Sequence, residues 1–146
     1  MLPCIVAEGE EKKMSALIEE FKREHAKIIA MLNEVKELGI LSKEGQARLM
    51  SAKKCLLEHL WKEEERLYPV LRKEAEHNKN LKKELAMFAM DPEYVSRVVS
   101  EFFDKYSGGE IDENFSINFE SLFASLGARI RNEEEALYEE YEEINR

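Results

Sequence analysis

Five side chains that are charged or can gain or lose a proton fall on helix faces that are otherwise apolar. Met14, Leu17, Phe21, His25, Ile28, Leu32 and Val35 recur every three or four positions, and His25 stands in that row. A second row, Leu49, Ala52, Leu56, His59, Glu63, Leu67 and Val70, contains His59 and Glu63. A third, Phe119, Leu122, Leu126, Arg129, Glu133, Leu137 and Tyr141, contains Arg129 and Glu133. A charged group in a helical core costs several kcal/mol unless it is paired or bound to a metal. His59 and Glu63, and likewise Arg129 and Glu133, are one helical turn apart, so both members of each pair project from one side of one helix. Facing helices then bring two imidazole nitrogens and two carboxylates to one point. Imidazole and carboxylate with open positions form a transition-metal ligand set suited to Fe(II), and also to Zn or Mn.

Other chemistry-bearing groups read differently. His77 closes a single Glu-x-x-His spacing, a ligand pattern in ferritin-like carboxylate sites, but it lies in the polar stretch Glu74 to Asn80 and reads as surface. Cys55, one turn before His59, reads as a small buried apolar residue. Tyr68, Tyr138 and Tyr141 read as packing at the ends of the helices.

The elements that must position these groups are helical. Gly and Pro are scarce, at six and three, while Glu, Lys, Leu and Ala abound. A first helix is expected from about Glu11 to Leu38, ended by Gly39, and Ser42 with Gly45 forms the next turn. The second helix is kinked or broken at Pro69. A loop is expected over Glu74 to Asn80, then a short helix from Leu81 to Met90. Asp91 before Pro92 caps a third long helix carrying Val95, Val98, Val99, Phe102 and Tyr106, which Ser107, Gly108 and Gly109 stop. The last helix runs from about Asn114 to Ile144. Four amphipathic helices on short links make an all-α, antiparallel up-down four-helix bundle over 11–146, with 1–10 as an N-terminal arm. The segment from His59, HLWKEEERLYP, aligns with that from Arg129, RIRNEEEALYE, at an offset of 70 residues. The same offset lays Ile28, Ile29 and Leu32 over Val98, Val99 and Phe102, as in a duplicated helical hairpin.

A chain of 146 residues, 44% apolar and 36% charged, fits one core. The net charge of −9 and the acidic runs at Glu63 to Glu65, Glu133 to Glu135 and Glu139 to Glu143 oppose nucleic-acid binding. No apolar run approaches the ~18 residues of a membrane span, and the N-terminal stretch lacks the basic flank of a signal peptide. Cys4 and Cys55 form neither a CxxC nor a disulfide framework, so a reducing cytoplasm is expected.

The run Leu57-Glu58-His59-Leu60-Trp61-Lys62-Glu63-Glu64-Glu65-Arg66-Leu67-Tyr68-Pro69 resembles the second-helix signature of the hemerythrin-like HHE cation-binding domain, and Glu24-His25 with Ile28 and Ile29 resembles its first. The resemblance extends from Glu11 onward. It implies an up-down four-helix bundle with a non-haem iron site, commonly two irons bridged by carboxylates, for oxygen carriage, iron handling, or sensing of oxygen and nitric oxide. By position, His25, His59 and Glu63 match ligands, and Glu133 matches the bridging acid of the last helix. The chain departs from the pattern at two histidines. Arg129 stands where the last helix has one. In the third helix the counterpart is Tyr94 if Glu93-Tyr94 aligns with Glu24-His25, or Val95 at the offset of 70. A Tyr94 phenolate could bind ferric iron, whereas Val95 binds nothing.

Both losses fall on the second iron, so a reduced, mononuclear site of His25, His59, Glu63 and Glu133 is expected. Arg129 supplies the positive charge of the missing ion, held by Glu63 and Glu133. The expected partners are a metal ion and a diatomic gas. The competing reading is a metal-free bundle serving as a structural or interaction module. Enzymatic activity has the weaker support, because no Ser/His/Asp set or phosphate-binding loop is present.

Overall fold

The computed structural model describes residues 15–87, 92–106 and 111–145, except for the side chains of 87 and 92–96. The expected arm, Met14, the Asp91 cap, the stop at Ser107 to Gly109, and the side chains of Tyr94 and Val95 therefore lie outside the described residues. All regular structure among the described residues is helical: α1 (Ala16–Leu38), α2 (Lys43–Arg66), α3 (Tyr68–Ala75), α4 (Lys79–Met87), α5 (Pro92–Tyr106), α6 (Phe115–Asn132), a π-helical turn (Glu133–Leu137) and α7 (Tyr138–Ile144). None of these helices is long and apolar enough to cross a membrane.

Local chemistry sets the ends. The first helix begins at Ala16, later than the apolar row suggests, because the Ser15 hydroxyl accepts a hydrogen bond from Ile18 N and caps it. Glu142 of α7 takes the Ser15 amide with both carboxylate oxygens, at 3.1 and 3.0 Å. That places a negative group at the positive end of α1. Gly39, at φ 84°, ends α1, and Ser42 caps α2 through Gly45 N. Gly45 thus belongs to α2 itself. It is needed for space, because a Cβ there would collide with the Gly39 carbonyl.

The break at Pro69 falls just before it: α2 stops at Arg66, and α3 begins at Tyr68 with Pro69 in its first turn, where a missing N–H costs nothing. This resets the inward face to Leu67, Leu71 and Ala75, and Val70 is only half-buried. The expected loop shrinks to 76–78, because Ala75 and Leu81 are drawn into a common core, and Asn78 caps α4 through Leu81 N. In the first row Ile18, three residues before Phe21, takes the inward place expected of Leu17.

The pairs Glu20–Lys62, Glu24–His59 and Glu34–Arg48 show one index rising as the other falls, so α1 and α2 run antiparallel. Tyr106 on Phe115 and Phe102 on Phe119 make α5 and α6 a second antiparallel hairpin. Apolar side chains collect in two clusters. One joins the C-terminal half of α1, the N-terminal half of α2, α5 and α6, through residues such as Leu32, Leu56, Phe103 and Leu122. The other joins Ile18, Phe21, Leu67, Leu71, Leu81, Leu137 and Tyr138. Along α1, along α2 and α3, and along α6 and the π turn, a polar position falls where one cluster gives way to the other: His25 between Phe21 and Ile28, Glu63 between Leu60 and Leu67, and Arg129 and Glu133 between Leu126 and Leu137.

Candidate metal centre

His25, His59, Glu63, Arg129 and Glu133 are each 4% exposed or less and meet in that layer. One potential ligand atom from each of His25, His59, Glu63 and Glu133 lies within 4.8 Å of the others. His25 Nε2 is 3.1 Å from Glu133 Oε1 and 3.8 Å from Glu63 Oε2, while His59 Nε2 is 3.1 Å from Glu63 Oε2. Each imidazole thus aims Nε2 at the centre.

The opposite ring nitrogens explain this orientation. His25 Nδ1 lies 2.7 Å from Glu134 Oε2, and His59 Nδ1 lies 2.6 Å from Glu24 Oε1. An ionised carboxylate only accepts, so Nδ1–H donates to it and a neutral ring turns its Nε2 lone pair inward. Lys62 in turn donates to Glu20 and Glu24. Burial works against ionisation of Glu24, but Lys62 and His59 outweigh it and hold its carboxyl below the ordinary range. The rings are also clamped by packing: Phe21 meets His59 edge-on, and Tyr138 stacks on His25.

Arg129 closes the other side. Its Nε donates to Glu133 Oε2 and its Nη2 to Glu63 Oε1, both at 2.9 Å. Each carboxylate therefore gives one oxygen to the histidines and the other to the guanidinium. Burial disfavours the charged carboxylate of Glu133, yet Arg129 and His25 overcome it and hold Glu133 well below the usual range. Two tyrosines enter as well. Tyr138 donates to Glu63 Oε2 at 2.6 Å and lies 3.1 Å from His25 Nε2. Tyr68 donates to Glu133 Oε2 at 2.6 Å. Burial, then Glu133, pushes both phenols well above their ordinary range.

The centre retains a demand for positive charge beside the histidines. His59 Nε2 is fully buried and makes no well-directed hydrogen bond, despite the nearby Glu63 oxygen. Burial alone would lower the His59 pKa, but Glu63 and Glu24 raise it to about 8. A cavity of about 10 Å³ touches His25, His59, Arg129 and Glu133, room for about one water-sized sphere. A donor set of nitrogens and carboxylate oxygens, with an orphaned nitrogen and a small gap, could hold a metal ion. The larger hollows, about 240 and 500 Å³, lie beside Lys105 and Tyr106, away from this chemistry.

The apolar rows thus converge as expected at His25, His59, Glu63, Arg129 and Glu133. His77 is exposed beside Glu74, and Cys55 is half-buried against the core. The tyrosine reading is corrected for two residues. Tyr68 and Tyr138 bring their hydroxyls into the centre, while Tyr141 stays half-buried outside it. The cause is a change of phase. In an α-helix the fifth residue on points roughly 140° away from the first. After Glu133 the expected continuous helix is interrupted by the π turn, in which Tyr138 N donates to Glu133 O, and this wider turn carries Tyr138 inward. After Glu63, the break at Leu67 carries Tyr68 inward. Glu-x-x-x-Leu-Tyr recurs in both halves, at Glu63 to Tyr68 and Glu133 to Tyr138, and is the sequence signal for these tyrosines. Glu24 and Glu134 carry no such signal, being ordinary acids adjacent to inward residues.

The family model for the hemerythrin HHE cation-binding domain matches residues 16–141, a span that holds every residue of this centre. No curated protein and no solved structure matches the chain.

Proposed function

The chain belongs to the hemerythrin HHE cation-binding domain family, and from that premise we propose that it binds a single non-haem metal ion, iron by preference, through His25, His59, Glu63 and Glu133. The observation that carries this reading is the pair of inward Nε2 atoms, one of them orphaned, beside two shared carboxylates. Arg129 takes the place of a second ion: it binds the two carboxylate oxygens that face away from the histidines. The antiparallel pairs α1–α2 and α5–α6 fit the up-down four-helix bundle of this reading.

A bound divalent ion supplies a Lewis-acidic centre and, as iron, a redox-active one. The chain's own residues orient the imidazoles through Glu24 and Glu134, keep the carboxylates ionised through Arg129, and exclude water with the apolar clusters on either side. A position left open by the protein ligands suits oxygen or nitric oxide, for carriage, sensing or iron handling. The competing reading is a metal-free polar core, favoured by the Tyr138 and Arg129 hydrogen bonds that already satisfy both carboxylates.

Metal content decides between them. Protein purified without chelator, and protein reloaded with Fe(II) without oxygen, should carry at most one tightly held ion per chain, and His59→Ala should carry none while remaining helical. Two ions per chain would overturn the single-site reading. No retained metal in either preparation would establish the metal-free core.

A further inference from the structure

Tyr138 stands outside the four-residue ligand set, yet its hydroxyl oxygen lies among the donor atoms. It is 2.6 Å from Glu63 Oε2, 3.1 Å from His25 Nε2 and 3.4 Å from Glu133 Oε1. Donors bound at right angles to one first-row ion, at about 2.0–2.2 Å each, stand about 3 Å apart. These separations therefore suit neighbouring donors around one ion. The backbone makes a specific provision for this placement, since the π turn after Glu133 brings Tyr138 to the same side as Glu133.

Tyr68, the counterpart of Tyr138 at the offset of 70, shows that the two hydroxyls are not equivalent. Its oxygen bonds to Glu133 Oε2, the atom that Arg129 Nε also takes, and its ring lies 5.4 Å from the guanidinium carbon. Tyr68 thus faces the arginine side of the carboxylates, and Tyr138 the histidine side.

We propose that Tyr138 is a fifth donor, its phenolate oxygen completing the set of His25, His59, Glu63 and Glu133 around a ferric ion. The inference rests on the metal-binding reading above. Ligation exchanges the Tyr138 O–H bond for an oxygen–iron bond and releases one proton to solvent, with no electron transferred. The phenolate adds a third anionic oxygen to those of the two glutamates, a donor set matched to a trivalent ion.

The 146-residue chain, freed of metal by chelation, is loaded with Fe(II) without oxygen. It is then oxidised with one equivalent of ferricyanide, which takes one electron from each iron, and desalted. Wild type, Tyr138→Phe and Tyr68→Phe are compared by iron content, visible absorption and resonance Raman spectroscopy. Wild type and Tyr68→Phe should show a phenolate-to-iron charge-transfer band with enhanced tyrosine ring vibrations, and Tyr138→Phe should hold iron and lose both. If iron is bound but the band is absent from wild type, survives in Tyr138→Phe, or is lost only in Tyr68→Phe, Tyr138 is not the donor. The metal-binding reading would then stand. No iron in wild type overturns both. Should Tyr138→Phe fail to fold or lose its iron, 3-fluorotyrosine placed at 138 alone preserves the packing. A shifted band then supports the proposal, and an unshifted band overturns it.

Discussion

Arg129 has no room to leave the core and no accessible way to lose its charge. It is 4% exposed, and its ion-pair partners Glu63 and Glu133 are equally buried. Removing it leaves two carboxylates in a dry layer without their guanidinium, so Arg129→Ala should lower unfolding stability by about 3–5 kcal/mol. Arg48→Ala, at a half-exposed pair with Glu34, should cost no more than about 1 kcal/mol. Urea unfolding of the metal-free variants checks the contrast, and equal losses would mean that Arg129 is not buried in solution. Glu24 makes a different prediction, because it touches His59 Nδ1 and not the centre itself. Glu24→Gln should weaken metal binding by about 10–100-fold with little change in helix content. A competition titration with a coloured chelator measures it, and unchanged affinity would remove Glu24 from any part in setting the ring.

Among the elements, the α1–α2 hairpin sets the distance between His25 and His59, and its turn is held by close backbone contact. A methyl group at Gly45 would strike the Gly39 carbonyl oxygen, which is backbone and has nowhere to swing. Gly45→Ala should therefore destabilise the protein by about 1–3 kcal/mol even though alanine favours helix. In α6 a Cβ at Gly127 meets nothing nearer than Arg131 Nη1, at 4.0 Å. Gly127→Ala should be neutral or stabilising by up to about 1 kcal/mol. Thermal unfolding of the pair tests the packing of the hairpin turn, and a harmless Gly45→Ala would show that the turn is looser than described. At the other end of α1, Ser15 and Glu142 join the first helix to the last, beyond the centre on the side of Phe21 and Leu137.

For the whole molecule, the proposed site would link metal binding to the fold, because His25, His59, Glu63 and Glu133 come from three separate helical segments and meet only in the folded chain. An ion that binds the native state alone adds about 2.7 kcal/mol when its free concentration is 100 times Kd. For a domain of this size that corresponds to a rise in Tm of roughly 5–11 °C. Calorimetry with and without metal should show the rise in wild type and its absence in His59→Ala. A rise that persists in that variant would place the ion elsewhere. The segments around His59 and Arg129, aligned at the offset of 70, differ in charge. Tyr68 reaches across to Glu133 and Tyr138 reaches across to Glu63, but one segment has His59 where the other has Arg129. Exchanging the odd residue, Arg129→His, should raise iron uptake above wild type if the guanidinium stands in for an ion; elemental analysis showing no increase would count against that substitution.

The apolar period of three to four residues determined the helices and the inward placement of His25, His59, Glu63, Arg129 and Glu133, because burial selects one face of each helix and a polar group on it stands out. Glycine, proline and the capping serine at 42 marked the turns in the same local way. The tertiary structure decided what periodicity cannot carry. Tyr68 and Tyr138 enter the centre because a helix break and a π turn shift the phase after each glutamate, and the carboxylates their hydroxyls meet, Glu133 and Glu63, come from another helix. The roles of Glu24 and Glu134 lie outside periodicity for a related reason: each is a half-buried acid beside an inward residue, and only the arrival of a histidine from another helix gives it a role. Which oxygen of each carboxylate faces the histidines and which faces Arg129 is likewise settled by three helical segments converging on one dry layer.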